Sequence, residues 1–361
     1  MTGEFSSVIV ATGSCIPTRC VRNEDFLDHH LFEDYGKPFD HADNPKIISK
    51  FREITGITER RYVSDDLVAS DIAIEAAHNA LVGAEIDPET LDYLIVAHNF
   101  GDVPSCNRRS TLVPTLAARV KRGLGIANPA CIAYDLPFGC PGWLQAVIQA
   151  DYFLRSGDAR KALVIGAETM SRVSDPHDRD SMIYADGAGA AVLEARPARE
   201  RVGILAHAGR SDTLEHARLM WMGKSYDPEF EDDRLFLKMH GRQLYEYALN
   251  TVPGVVRQSL DKAALTVTDV DKVLIHQANS KMDEAILKRI FRMYGVQEIP
   301  EGVMPMTIAR LGNSSVATLP TLLDLIRRGQ LEGHRLANGD VVVFASVGAG
   351  MNVNSVVYRC P

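Results

Sequence analysis

At 361 residues, 46% hydrophobic and 24% charged, the chain is long enough for two hydrophobic cores and too apolar to be disordered. Its net charge of -8 argues against general nucleic-acid binding, since polyanions are held by basic surfaces. Cys15, Cys20, Cys106, Cys131, Cys140 and Cys360 form neither a C-x-x-C pair nor a zinc spacing, and no stretch approaches the ~20 apolar residues of a membrane span. The expectation is therefore a cytoplasmic protein with no disulfide, metal or membrane partner.

Along the chain, residues 26–47 read as an irregular excursion, 70–81 as an amphipathic helix and 93–98 as a short apolar strand. A second apolar run, 132–138, leads through Gly139 to Cys140 and a helix. Trp143, Val147, Tyr152 and Leu154 fall near helical spacing, Pro141 suits the first turn, and Gly157 stops the helix. Cys140 is thus expected to cap a helix N-terminus, where unpaired N–H groups and the positive dipole end favour thiolate, the nucleophilic form. A buried structural cysteine is the alternative.

A strand over 162–167 follows. His177, between Asp175 and Asp178, lacks a second His or Cys at ligand spacing and reads as a surface or salt-linked loop. The run 186–194, Asp-Gly-Ala-Gly followed by apolar residues, lacks both phosphate-loop patterns and reads as a structural turn. The charged stretch 194–201 is the expected joint, after which a new strand opens at Val202.

Beyond the joint the same unit recurs. A helix over 244–260 precedes the strand 273–275, and another strand spans 341–346; Asp92 and Asp271, like Ala162 and Val341, stand about half the chain apart. Strands alternating with helices in each half predict two similar α/β halves, 1–200 and 201–361. His276 lies at a strand's C-terminal end, where open α/β sheets build their sites, with polar Gln277 and Asn279 beside it; a structural histidine is the alternative. Asn313 precedes the helix through Leu322, Leu323 and Ile326, either as a functional amide or as its N-cap. The turn at Gly348, Ala349 and Gly350 can aim backbone N–H groups at a carbonyl oxygen.

Thr55-Gly-Ile-Thr-Glu-Arg-Arg61, the Cys140 elbow, Gly166-Ala-Glu-Thr-Met-Ser-Arg172, Asp178-Arg179 leading to Asp186-Gly-Ala-Gly-Ala190, Lys238-Met-His-Gly241, His276-Gln-Ala-Asn279 and Gly312-Asn-Ser-Ser315 carry a resemblance. Together they resemble the β-ketoacyl-acyl-carrier-protein synthase III family of the thiolase superfamily, nearly end to end. The resemblance implies a thiolase-like fold, two α/β halves in a five-layered αβαβα arrangement, a homodimer and a Cys140, His276, Asn313 triad. It also implies acyl transfer to Cys140, then decarboxylative condensation with a malonyl-type thioester, with oxyanion donors from Cys140 and the Gly348, Ala349, Gly350 turn. Substrate contacts are implied at Val113, Arg172, Met239, Tyr245, Asn279 and Lys281. Acyl-CoA or acyl-carrier-protein thioesters are the implied substrates, and no cofactor is needed.

Departures from the family pattern bear on the substrate. Lys50 and Ile54 stand where acyl-CoA-using members place a Trp and an Arg, and Val113 replaces an aromatic that closes the acyl pocket across the dimer in some members. A medium or long acyl group on a carrier protein is expected. With Phe138 to Trp143, this is similar to ketosynthases of dialkylresorcinol clusters, which condense two β-keto or acyl thioesters. Lys281, Lys288 and Arg292, with Arg289 beside them, form a basic stripe, either a solvated face or a docking surface for the acidic acyl carrier protein. Two rivals remain: a thiol hydrolase or amidase, and a non-catalytic partner subunit of this fold.

Overall fold

The short apolar runs of each half form strands buried on both faces, so the two sheets need helices on either side. A computed structural model describes residues 5–197 and 201–361. One sheet has five strands in the order Phe5–Cys15, Asp186–Pro197, Lys161–Thr169, Tyr93–His98 and Ile132–Pro137. The other has four, Gly203–Ser211, Asn352–Arg359, Val341–Gly348 and Lys272–Ile275. Across the first four strands of each sheet the pairings run antiparallel, antiparallel, parallel, which is the doubling the sequence predicts.

Alternation within single strands creates the layers. In the first sheet, Ala162 and Val164 face the central helices Gly142–Ser156 and Thr318–Arg327, while Leu163 and Ile165 face the outer helices Ala69–Gly83 and Leu116–Gly123. In the second, Val342 and Phe344 meet the same central helices, and Val343 and Ala345 face the outer helices Gly241–Ala263 and Ser280–Met293. The result is the five-layered αβαβα arrangement of a thiolase-like fold. The two central helices begin shortly after Cys140 and Asn313 respectively.

Several elements differ from expectation. The excursion at 26–47 is mostly irregular, with a small hairpin, but ends in a helix, Asn44–Thr55, which the sequence reading did not separate from it. Asp186 and its glycines are strand rather than turn. The Asp186 carboxylate takes hydrogen bonds from Val63 N–H, Ser171 N–H and the Ser171 hydroxyl, and so ties the strand's start in place. Of the expected joint, residues 194–197 still belong to that strand, and residues 198–200 lie outside the described residues. Tyr152 is 55% exposed, off the apolar stripe that Trp143, Val147 and Leu154 bury.

Gly166 fixes the approach of the central layer. A Cβ there would lie 2.3 Å from the Val316 carbonyl oxygen, just beyond Asn313 and Ser315. Gly166→Ala is therefore expected to cost about 1–3 kcal/mol through overpacking and to lower activity with stability, read by thermal melting and turnover. Unchanged melting and turnover would show that this approach has slack.

Candidate active site

Cys140 is placed by the turn between the strand Ile132–Pro137 and the helix Gly142–Ser156. Gly139 has φ +69°, and a Cβ on it would sit 2.9 Å from the Ala349 nitrogen, so the turn closes against the other half of the chain. Pro141 is the N-cap, and Cys140 stands one residue ahead of it rather than capping the helix itself. Gly348 lies still closer. A Cβ there would be 2.6 Å from the Cys140 nitrogen, which brings the Gly348, Ala349, Gly350 turn beside the Cys140 N–H as an oxyanion site requires.

His276 follows the strand Lys272–Ile275 and is held by its N–H, which donates to the Ala345 carbonyl at 2.9 Å. Its ring is 3% exposed, and Nδ1 has no hydrogen-bond partner among the described residues; Nε2 is the ring nitrogen left to meet the cavity. Gln277 is structural: its amide binds the Pro305 carbonyl and the N–H groups of Thr307 and Ile308. Asn279 caps the helix Ser280–Met293 through Met282 N–H at 3.1 Å and also lines the cavity.

Asn313 is not the N-cap of Thr318–Arg327. Its backbone bridges Ile183 and Ala185, at 2.9 and 2.8 Å, and its side-chain oxygen accepts from Ser315 N–H at 2.8 Å. That bond fixes the amide with its NH2 end available to the cavity. Cys140, His276, Asn313 and Gly348 line one cavity of about 490 Å³, otherwise largely walled by apolar groups such as Phe51, Met182 and Met220. This is the size range that holds a small ligand.

Burial sets the resting charges. It pushes the Cys140 thiol up to about 11, aided by the Glu168 carboxylate and opposed by hydrogen bonds from the Ser315 hydroxyl and Cys140's own N–H. It pushes His276 down to about 4. Burial therefore works against the thiolate expected from the helix end.

Among the other residues singled out, Met239, Tyr245 and Asn279 line the cavity, as do Lys50 and Ile54. Val113 is 90% exposed and outside the cavity. Arg172 is also outside it, buried, with its guanidinium on the Ser64 carbonyl at 2.8 Å and Asp65 at 3.2 Å. Of the basic stripe, Lys281 pairs with Glu53 at 3.0 Å, and Arg289 is drawn back to Leu249 and Asn250 on the neighbouring helix. Lys288 and Arg292 are exposed. Sequence reasoning missed Ser315, Asn99 and Glu168 behind the thiol; the first lies in the Asn313 string and the last in the Gly166 string, but nothing in either pointed at the sulfur.

Away from the cavity, His177 meets partners that spacing did not reveal. Its Nδ1–H donates to the His30 carbonyl at 3.0 Å and lies 3.8 Å from the Asp227 carboxylate. Among the described residues, the ligand atoms of His30, His177 and Asp227 lie close enough together to hold a metal ion.

The N-terminal family model for 3-oxoacyl-[acyl-carrier-protein] synthase III matches residues 134–213, and the C-terminal one residues 260–360. The chain is 32% identical over 356 residues to a β-ketoacyl-[acyl-carrier-protein] synthase III of Erythrobacter litoralis, covering 98% of this chain and 99% of that protein. Among solved structures it is similar to 3-oxoacyl-(acyl carrier protein) synthase III of Pseudomonas aeruginosa, at 25% identity and TM-score 0.80, covering 99% of this chain and 98% of that one. The priming β-ketosynthase of the R1128 polyketide pathway is similar at 26% identity and TM-score 0.80, covering 100% and 98%.

The resting charges give a direct expectation. A thiol raised to about 11 stays protonated at neutral pH, so alkylation of Cys140 by iodoacetamide, followed by peptide mass, should climb about tenfold per pH unit between pH 7 and 9. A plateau below pH 8 would mean that the pocket favours thiolate.

Proposed function

This chain belongs to the 3-oxoacyl-[acyl-carrier-protein] synthase III family, and from that premise we propose how its residues divide the condensation between them. The observation that carries the reading is the meeting of Cys140, His276 and Asn313 in one apolar cavity, with Gly348 against the Cys140 nitrogen. In the first half-reaction the Cys140 sulfur attacks an acyl thioester. The thiol proton leaves with the departing pantetheine thiol, and the N–H of Cys140 and one from the Gly348, Ala349, Gly350 turn hold the carbonyl oxygen as it becomes negative.

In the second half-reaction a malonyl-type thioester loses carbon dioxide. The electron pair of the broken C–C bond becomes an enolate, whose oxygen receives hydrogen bonds from neutral His276 and the Asn313 NH2. A neutral imidazole suits this role, because it donates without adding a buried charge. The enolate carbon then attacks the acyl-Cys140 carbonyl, and the sulfur leaves as thiolate and takes up a proton. A 3-oxoacyl thioester is released.

The acyl donor in this reading is a medium or long chain on an acyl carrier protein. Lys50 and Ile54 line the cavity in place of the Trp and Arg of acyl-CoA users, and Lys288 and Arg292 offer exposed cations to an acidic partner. Lys281 and Arg289, each already paired, hold the stripe to its neighbours. Val113, exposed in the single chain, would reach an acyl pocket only from the second subunit of a homodimer. Each half, 1–200 and 201–361, then supplies one part of the chemistry, in a cytoplasmic enzyme. A second reading, condensation of two β-keto or acyl thioesters in dialkylresorcinol-type metabolism, draws support from the likeness to a priming polyketide ketosynthase and from the large apolar cavity.

Separate assays of the half-reactions test the division of labour. His276→Ala and Asn313→Ala should each lose malonyl decarboxylation by about 100-fold or more, as expected for removing a donor to a buried oxyanion, while Cys140 still becomes acylated. Decarboxylation surviving both changes would remove the pair from the enolate.

A further inference from the structure

Behind the Cys140 sulfur a line of hydrogen bonds runs back into the first sheet. The Glu168 carboxylate, 1% exposed, accepts from Asn99 N–H at 2.8 Å and from Asn99 Nδ2 at 2.7 Å. Asn99 Nδ2 also donates to the Ser315 hydroxyl at 3.1 Å, and that hydroxyl donates to Cys140 Sγ at 3.4 Å. Donor accounting gives the line a direction. Burial raises the Glu168 carboxyl to about 7, so at pH 8 it is mainly ionised and only accepts; Asn99 then presents its NH2 to Glu168, and its second hydrogen goes to Ser315. Having accepted there, Ser315 turns its single hydrogen toward the sulfur.

The backbone adds an independent observation. Ser315 has φ +55°, in the left-handed region that glycine takes without penalty and other residues disfavour. It is nonetheless locked, 2% exposed, with its N–H on Asn313. A strained serine whose hydroxyl meets a nucleophile is a place where the side chain is worth its strain.

We propose that Ser315 is a further catalytic residue of the condensation, donating to the Cys140 sulfur, and that Asn99 and Glu168 are positioning residues that aim its hydroxyl. Charge builds on the sulfur twice, when the thiol proton leaves during acyl transfer and when Cys140 departs after condensation. A hydrogen-bond donor fixed beforehand stabilises both moments without reorganising. Glu168 does not help by its charge, which opposes a thiolate; its part is to orient the amide. The titratable groups facing the sulfur are Glu168, Tyr184 and His276, and those facing Glu168 are His98 and Asp186.

The inference rests on Cys140 being the acyl acceptor, so the wild type is first acylated and the adduct located by peptide mass. Iodoacetamide alkylation of Cys140 is then timed at pH 8 in Ser315→Gly, Asn99→Ala and the double variant, with melting temperatures alongside. Ser315→Gly should melt close to the wild type, because glycine suits the positive φ, yet alkylate about tenfold more slowly, the scale of one hydrogen bond to a charged group. Asn99→Ala should slow alkylation about threefold, a partial loss of that bond, and add nothing in the double variant. Ser315→Ala deletes the same hydroxyl should the glycine variant melt early. Wild-type alkylation rates without the hydroxyl, or effects of Ser315 and Asn99 that multiply, would overturn the line while leaving an acylated Cys140 intact. An acyl group on another cysteine would instead overturn the nucleophile itself.

Discussion

Gly348 packs so tightly against Cys140 that a single added carbon would lie 2.6 Å from the Cys140 nitrogen and 2.9 Å from its Cβ. Cys140 comes from the first sheet's half, at the head of a central helix, whereas Gly348 ends a strand of the second sheet. The proposed nucleophile and its proposed oxyanion turn therefore meet where segments of the two sheets pack together. His276 and Asn313 depend on the same seam. His276 stands beside the Gly348 strand through Ala345, and Asn313 bridges Ile183 and Ala185 of the first half. Buried central helices make this seam rigid, since close-packed interiors shift in steps rather than smoothly.

The seam also decides the electrostatics. Burial pushes the thiol up and the imidazole down, which favours two neutral groups over an ion pair at rest. A largely apolar pocket of this kind is unfavourable for charge at rest and rewards each donor that is already aimed when charge appears. In the proposed chemistry enolate and thiolate are both transient, and fixed hydrogen-bond donors meet them.

Much of this was legible in the sequence, for identifiable reasons. The strands at 93–98, 162–167 and 341–346 are short continuous apolar runs, which only doubly covered sheets require, and their repetition exposed the doubling. Cys140, His276 and Asn313 each sit at an element's end, where sequence marks a polar group out of place. The start of the strand at Asp186 was hidden because its glycines imitate a turn; they are there to let the central helix approach, as Gly189 does against Pro320. The raised thiol was hidden because the helix end is local and visible, whereas burial depends on walls from distant segments such as Phe51 and Met220. Ser315, Asn99 and Glu168 come from three separate segments, so only the folded chain brings them together. Arg172 shows the converse: a matching residue in a matching string, spent here on holding Ser64 and Asp65.

The central claim is that Cys140 carries the acyl group between two half-reactions. Intact-protein mass spectrometry after incubation with acyl thioesters of graded chain length, on CoA and on acyl carrier protein, reads it most directly. The account predicts one acyl adduct, mapped to Cys140, favouring medium or long chains on the carrier protein and discharged on adding malonyl-carrier protein, with a 3-oxoacyl product. An adduct on another cysteine, or one that malonyl-carrier protein leaves in place, would contradict it.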